Sequence, residues 1–323
     1  MAERWSPYHL RLHRWLKRQP DLLPDGARLL LAVSGGQDSM ALVGLLQDLQ
    51  RLHHWTLTLW HGNHQLRPEA GQQASELASW ADQEGLPLQI DSWQKPRSDE
   101  AAARAWRYAA LEAAARSCGA SHVATGHTAS DRAETLLLQL ARGSHRRGLA
   151  SLRPTRPLTT ALSLVRPLLL FSRAETAQIR QQLGFPLWLD SSNSDPRFSR
   201  NRVRQEVLPV LEQLHPGADR RISAVAERLA EEHDHQAELV LLALGSLTRA
   251  DASLDRHGLM ALEPANQRQL LQAWLAQQGC SPLPPAALET LLARLKPGQG
   301  PGRSAFTAGR WLRWDRQALW LES

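Results

Sequence analysis

The sequence predicts an α/β protein: a parallel sheet with a site at its carboxyl edge, followed by a smaller helical and α+β domain. Three observations lead there. An apolar run, Leu29 to Val33, enters a glycine turn and a helical pattern from Met40, and Trp55 to Trp60 is β-rich; strand, helix, strand opens a parallel sheet. The order strand, glycine, helix returns between His122 and Thr135. A long helical pattern from Ala218 to Leu247 then leads to a remainder rich in proline and tryptophan, which places the domains at 1–216 and 217–323.

The 323 residues suffice for two buried cores. A net charge of +6 and a pI near 10.1 suit a polyanionic partner. Lys17, Lys95 and Lys296 are the only lysines, so the basic side is arginine; the guanidinium fork suits phosphate, and coding composition explains the bias equally well. Cys118 and Cys280 stand far apart without histidines at ligand spacing, which points to a reducing compartment and no structural zinc. Met1 to Arg18 is charged throughout and has no apolar signal region, and no apolar run approaches the roughly twenty residues of a membrane span. The expectation is a soluble cytoplasmic protein with no membrane partner.

Taken in order, Leu10, Leu12, Trp15 and Leu16 among arginines predict a basic amphipathic helix that packs by its apolar side, closed by Pro20 and Pro24-Asp25-Gly26. Next comes Ser34-Gly35-Gly36-Gln37-Asp38-Ser39. Its glycines allow positive φ and close backbone approach, so the N–H groups of a strand-to-helix turn can face a phosphate, with Ser34 and Ser39 adding hydroxyls. A carboxylate at Asp38 suits such a place if a divalent cation stands between it and the phosphates. The stretch has neither Walker nor dinucleotide-fold spacing. Read on its own, it is also compatible with a capped glycine turn.

After the second strand, His61-Gly62-Asn63-His64-Gln65-Leu66-Arg67 places polar residues at the same carboxyl edge. A helix over Ala70 to Glu84 and a strand over Pro87 to Ile90 follow. Glu100 and Arg104 are spaced i, i+4 on one helical face, with Arg107 and Tyr108 one turn on; this reads either as a solvated ion pair or as an arginine clamp over phosphate. The strand His122 to Thr125 runs into Gly126, His127, Thr128 and Asp131. Thr128 and Asp131 fit a capping box, while His127 and Asp131 flank the crevice of Asp38, where such a pair can handle protons or metal.

The hexapeptide is similar to the SGGxDS pyrophosphate loop of the PP-loop ATP pyrophosphatases. With HGNHQLR at 61–67, EAAARAWRY at 100–108 and ATGHTASDRAET at 124–135, the chain resembles the tRNA(Ile)-lysidine synthetases. The likeness continues through RGSHRRGLASLRP from Arg142, RPLL at 166–169, Asp190 to Asn193 and Arg200 to Arg204, covering nearly all of the first 210 residues. It implies a parallel-sheet, adenine nucleotide alpha hydrolase-like domain that uses ATP and Mg²⁺. ATP would adenylate the wobble cytidine of an isoleucine tRNA with a CAU anticodon, and the ε-amine of free L-lysine would displace AMP. A homodimer is left open.

By the same resemblance, Asp38, His127 and Asp131 are the catalytic candidates, with Mg²⁺ at Asp38 and Asp131. The nucleotide site would comprise Ser34, Gly35, Gly36, Gln37, Asp38, Ser39, His61, Asn63, His64, Arg104 and Gly126. Contacts to tRNA would come from Arg67, Arg107, Arg146, Arg147, Arg200, Asn201 and Arg204.

Arg142, Arg146, Arg147, Arg153, Arg156 and Arg166 predict a basic loop, read as a phosphate-contacting or simply a solvated surface. Ser172 and Glu175 form a capping box opening a helix to Leu183. The pattern from Ala218, with Glu231, Glu232 and Asp234, links the domains. Beyond it, Pro282, Pro284 and Pro285, a helix to Leu295, a glycine-rich turn at Pro297 to Gly302, and alternation of Trp311, Leu312, Trp314, Leu319 and Trp320 suggest a small α+β module ending in a hairpin. Its tryptophans are expected in core packing more than on bases; the family likeness is weaker here and implies a substrate-binding module. Two rivals are a tRNA thiolase of the same fold, which generally needs cysteine motifs absent here, and a catalytically idle RNA-binding protein.

Overall fold

The structure, a computed structural model, describes residues 5–65, 69–94, 100–188, 195, 197–306 and 310–322, without the Glu100 side chain. Arg67 and Asp190 to Asn193, singled out above, lie outside the described residues. The chain divides into two compact units, Met1–Ala230 and Glu231–Ser323.

In the first unit, α1 (Pro7–Arg18) precedes β1 (Arg28–Ala32), α2 (Gln37–His53), β2 (Thr56–Asn63), α3 (Ala70–Gln83), β3 (Leu88–Ser92), α4 (Glu100–Cys118) and β4 (His122–Thr125). Then come α5 (Ala129–Ala141), α6 (Arg146–Leu149), β5 (Thr155–Pro157), β6 (Ser163–Val165), α7 (Arg173–Leu183), α8 (Ser199–Arg202), α9 (Leu208–Leu214) and α10 (Ala218–Leu247). Strand order is β3-β2-β1-β4-β6-β5, parallel except for the edge strand β5. The chain builds outward from β1 to β3 and then returns to the other side of β1 with β4. The crevice of such a sheet opens there, at the carboxyl ends of β1 and β4.

Because side chains alternate across a strand, β1 feeds two cores. Leu29 and Leu31 pack with Met40, Leu45 and Leu59, while Leu30 joins Trp60, Leu111, Val123 and Leu164 on the other face. Helix α1 buries Leu12 and Leu16 as its pattern predicts, but Leu10 is 37% exposed. The inward position goes to His9, whose Nε2 lies 3.1 Å from Asp48 Oδ2. Helix α7 crosses α2 at Gly44, where a β-carbon would overlap Leu183 Cδ1 at 2.3 Å. A mid-helix glycine costs about 1 kcal/mol in propensity, and here it admits the partner helix.

Two expectations are corrected. His61, Gly62 and Asn63 belong to β2, because their backbone pairs with Ile90, Asp91 and Ser92 of β3. The basic loop contains β5 and β6, three-residue strands that extend the sheet beyond β4 and are too short to show alternation.

The second unit holds the end of α10, then β7 (Leu254–Asp255), α11 (Arg256–Met260), α12 (Pro264–Gln277), α13 (Pro285–Leu295), β8 (Gly302–Ala305), β9 (Trp311–Trp314) and β10 (Ala318–Glu322). Its antiparallel sheet runs β7-β10-β9-β8, closed by the expected hairpin. Trp314 joins Leu312, Leu319 and Trp274 in the core, whereas Trp311 is 36% exposed with Arg303 4.6 Å over its ring. Strand alternation sends Trp314 and Trp311 to opposite faces, so core packing holds for the first of them.

Candidate active site

The turn after β1 is tied by its own hydroxyls. Ser39 Oγ donates to the Gly36 carbonyl at 2.9 Å, and the Gly36 N–H donates to Ser34 Oγ at 3.3 Å. Gly35 has φ of +82°, a conformation that favours glycine, and its carbonyl accepts from the Trp188 N–H at 3.0 Å. Gly36 caps α2, which leaves the first amides of that helix facing the crevice.

The second loop rests directly on the first. A β-carbon on Gly126 would come within 2.9 Å of the Asp38 carbonyl carbon and the Ser39 nitrogen, so only glycine permits this contact. The loop that carries His127 and Asp131 is thereby set against the turn that carries Asp38.

Asp38 is held by α7. Arg173 Nη1 lies 2.9 Å from Asp38 Oδ2, and the Thr176 hydroxyl donates to Oδ1. Gln37 Nε2 reaches the Arg173 carbonyl at 2.8 Å. Burial pushes the Asp38 carboxyl above its usual range, against the pull of Arg173 and with the charge of Asp131 adding to the rise.

Asp131 is buried and capped: its Oδ2 accepts from the Thr128 N–H at 2.8 Å and the Thr128 hydroxyl at 2.9 Å. Its Oδ1 receives Arg200 Nη2 at 2.8 Å and Arg204 Nη2 at 3.3 Å. Burial raises this carboxyl, but Arg200, His127 and the Thr128 amide outweigh it and hold Asp131 low. One turn on, the fully buried Glu134 accepts from Arg200 Nε at 2.7 Å and Arg204 Nε at 2.6 Å.

Three of the residues expected at tRNA have protein partners here. Arg200 and Arg204 are committed to two buried carboxylates, and Asn201 is turned inward, 7% exposed, donating to the Asp195 carbonyl at 2.9 Å. A buried carboxylate requires a nearby cation, and α8 with the turn after it supplies two. Glu134 was missed because it reads as one more helical Glu; nothing local shows that its face is buried.

Desolvation pulls His127 down to about 4, so its imidazole is neutral near pH 7; Thr125 Oγ1 and His127 Nδ1 share a hydrogen bond of 2.8 Å. His61 Nδ1–H donates to the Val33 carbonyl at 2.8 Å, and Asn63 Oδ1 accepts from the Gln65 N–H at 2.9 Å. His64 packs edge-on to Trp93 and Trp106, with Arg107 Nη2 3.4 Å from its Nε2. Arg104 is exposed and lies 5.1 Å from the Tyr108 ring centre, while Arg146 and Arg147 are exposed on α6.

Beside Glu134 and Arg204 lies a cavity of about 380 Å³, whose lining includes Ser130, Arg173, Glu212 and Asp219. Among the described residues no group of three or more His, Cys, Asp or Glu side chains could hold a metal. Nor is any described helix long and apolar enough to cross a membrane.

Residues 9–211 match the PP-loop domain family, and residues 254–320 match the TilS substrate binding domain. The chain is 52% identical to a tRNA(Ile)-lysidine synthase of Parasynechococcus marenigrum (strain WH8102) over 100% of this chain and 96% of that protein. It is 47% identical to the protein of the same name from Synechococcus sp. (strain ATCC 27144), covering 96% of this chain and 97% of the relative. Among solved structures it is similar to the U34-tRNA thiolase NcsA of Methanococcus maripaludis, with a TM-score of 0.56 over 69% of this chain and 80% of the other. At 17% identity that likeness shows the fold alone.

Proposed function

We propose, because this chain belongs to the tRNA(Ile)-lysidine synthase family, that it uses ATP to activate the wobble cytidine of an isoleucine tRNA bearing CAU and joins free L-lysine to it. The adenylate forms on the oxygen at carbon 2 of the base with release of diphosphate. The lysine ε-amine then attacks that carbon, AMP leaves with the oxygen, and one proton is lost from the amine. The observation that carries the reading is the contact between the turn at Ser34–Ser39 and the loop at Gly126–Asp131, which gathers Asp38, His127 and Asp131 at one crevice.

The amides that open α2, with Ser34 and Ser39, would hold the phosphates. Mg²⁺ is usually bound by one or two carboxylates plus substrate phosphates and water, and Asp38 suits it in type and place. When bound, the ion would neutralise charge developing on the phosphates. Asp131 would join it only by giving up Arg200 or Arg204, so its main work is to fix the loop and the arginine pair. A neutral His127 supplies a hydrogen bond without repelling an incoming ammonium.

Lysine would enter the cavity beside Glu134. Glu212 and Asp219 offer acid to its ammonium groups, and Arg173 and Arg204 offer cations to its carboxylate. Exposed Arg107, Arg146 and Arg147 would meet tRNA phosphates.

The test is incorporation of labelled lysine into an unmodified isoleucine transcript bearing CAU, with a sulfur-transfer assay on the same preparation. Label in the tRNA with stoichiometric AMP is expected. Sulfur incorporation, or ATP turnover with no label, would overturn the reading.

A further inference from the structure

A second basic group stands by the same crevice. Tyr108 on α4 has the guanidinium of Arg104 at 5.1 Å and that of Arg156, from β5, at 4.6 Å from its ring centre. Arg166, just past β6, is 4% exposed. Burial pulls its guanidinium down to about 10, and the charges of Arg156 and Arg104 add to that fall while Tyr108 opposes it. One Arg166 nitrogen, Nη1, donates to the Arg153 carbonyl at 2.6 Å. Yet Nε of Arg166 and Nε of Arg156 are both buried with no hydrogen-bond partner.

Guanidinium groups are seldom buried without an anion, because lost hydration must be replaced by an opposite charge or by saturated hydrogen bonding. Asp131 and Glu134 hold Arg200 and Arg204 in that way. Arg166, buried, and Arg156, half-buried, pair with no carboxylate among the described residues, and the exposed Arg104 beside them adds a third positive charge. Their mutual repulsion therefore marks a place prepared for a negative ligand. The Thr125 hydroxyl that shares a hydrogen bond with His127 also lies 3.4 Å from the carbonyl of Val165, the residue before Arg166, which sets the group beside the crevice and not on a remote surface.

Two features choose among anions. On the reading above, the phosphates of ATP would take the amides of α2 as their partners, at the turn after β1. Between Arg142 and Arg166 the chain carries six arginines and no Asp or Glu, and Arg142, Arg146 and Arg147 are exposed, so the buried group continues into a basic surface long enough for a polyanion.

We propose that Arg104, Arg156 and Arg166, with Tyr108 as a wall, form a phosphodiester subsite that grips the RNA backbone next to the nucleotide being modified. A guanidinium fork fits two phosphate oxygens at once, and such contacts set register without reading sequence. The subsite rests on the RNA-substrate reading above.

The experiment measures binding of a fluorescent, unmodified CAU-bearing isoleucine transcript to the full chain by anisotropy across a salt series, with ATP affinity measured by calorimetry. Arg156→Gln and, at an exposed position that cannot upset folding, Arg104→Gln should each weaken tRNA binding about tenfold. Each should also flatten the slope of log K against log salt by about 0.7 to 0.9, the value of one lost phosphate contact. Arg104, a nucleotide-site candidate by resemblance, is assigned to RNA here, so ATP affinity should stay within about twofold. Unchanged tRNA affinity and slope in both variants would overturn the subsite, as would a fall in ATP affinity with tRNA binding intact, which would give the anion to ATP. A wild-type chain that binds tRNA with the predicted arginine dependence but adds no lysine would sink the lysidine reading and leave the subsite standing.

Discussion

Gly126 touches the backbone of Asp38 so closely that a β-carbon would sit 2.9 Å from the Asp38 carbonyl carbon. Two loops that begin 92 residues apart, at Ser34 and Gly126, are thus in direct contact, and the contact has no room for a side chain. Gly126→Ala should cut lysine incorporation by about a hundredfold, since displacing a phosphate-binding turn by about 1 Å is enough for that loss. Circular dichroism should remain native; an active Gly126→Ala enzyme would show that the loops need not touch.

His127 sets a pH window. Its folded value of about 4 lies below the unfolded 6.5, so between those limits the unfolded chain binds more protons and stability falls as pH falls. Above pH 6.5 the contribution is complete and constant. In urea titrations His127→Gln should remove a pH-dependent component of up to about 3 kcal/mol between pH 6.5 and 4. The variant and the wild type sharing one slope in that window would refute the assignment.

Glu134 accepts three arginine hydrogen bonds while fully buried. Glu134→Gln leaves Asp131 as the one carboxylate facing Arg200 and Arg204 and puts an NH₂ donor where one of the two acceptor oxygens stood. The expected loss is about 2 to 4 kcal/mol by urea denaturation, less than for a wholly buried ion pair because the Arg200 side chain is 39% exposed. A change under about 1 kcal/mol would mean that the arginines find other partners.

The second unit has its own buried cation. Arg256, 4% exposed, donates to the carbonyls of Leu295, Asp315, Lys296 and Gln299. These come from the end of α13, the turn after it, and the turn between β9 and β10. Lysine cannot reach four carbonyls from one fork, so Arg256→Lys should destabilise the chain by about 2 to 4 kcal/mol. Denaturation of the full chain followed by near-ultraviolet dichroism tests this, and near-wild-type stability would contradict it.

Capping boxes at Thr128 to Asp131 and Ser172 to Glu175, the strand entering Ser34, and the helix from Ala218 to Leu247 were legible because each is written within a few residues of its own position. Strands β5 and β6 were not, since three residues carry no period and their pairing is supplied by β4. The polar residues after Trp60 read as a loop in sequence for a related reason: β3 supplies the partner that extends β2 through Asn63.

By itself, the sequence determined which chemistry is present: a glycine turn with a carboxylate, a histidine and an aspartate at the head of another helix, and an arginine-rich flank. Only the tertiary structure decided which charges meet. Arg173 reaches Asp38 across 135 residues, Arg200 and Arg204 turn inward to Asp131 and Glu134, and Arg104, Arg156 and Arg166 are left together around Tyr108. Periodicity reports the element and face to which a residue belongs, whereas the partner of a buried charge depends on which other element the sheet and its helices bring to that face.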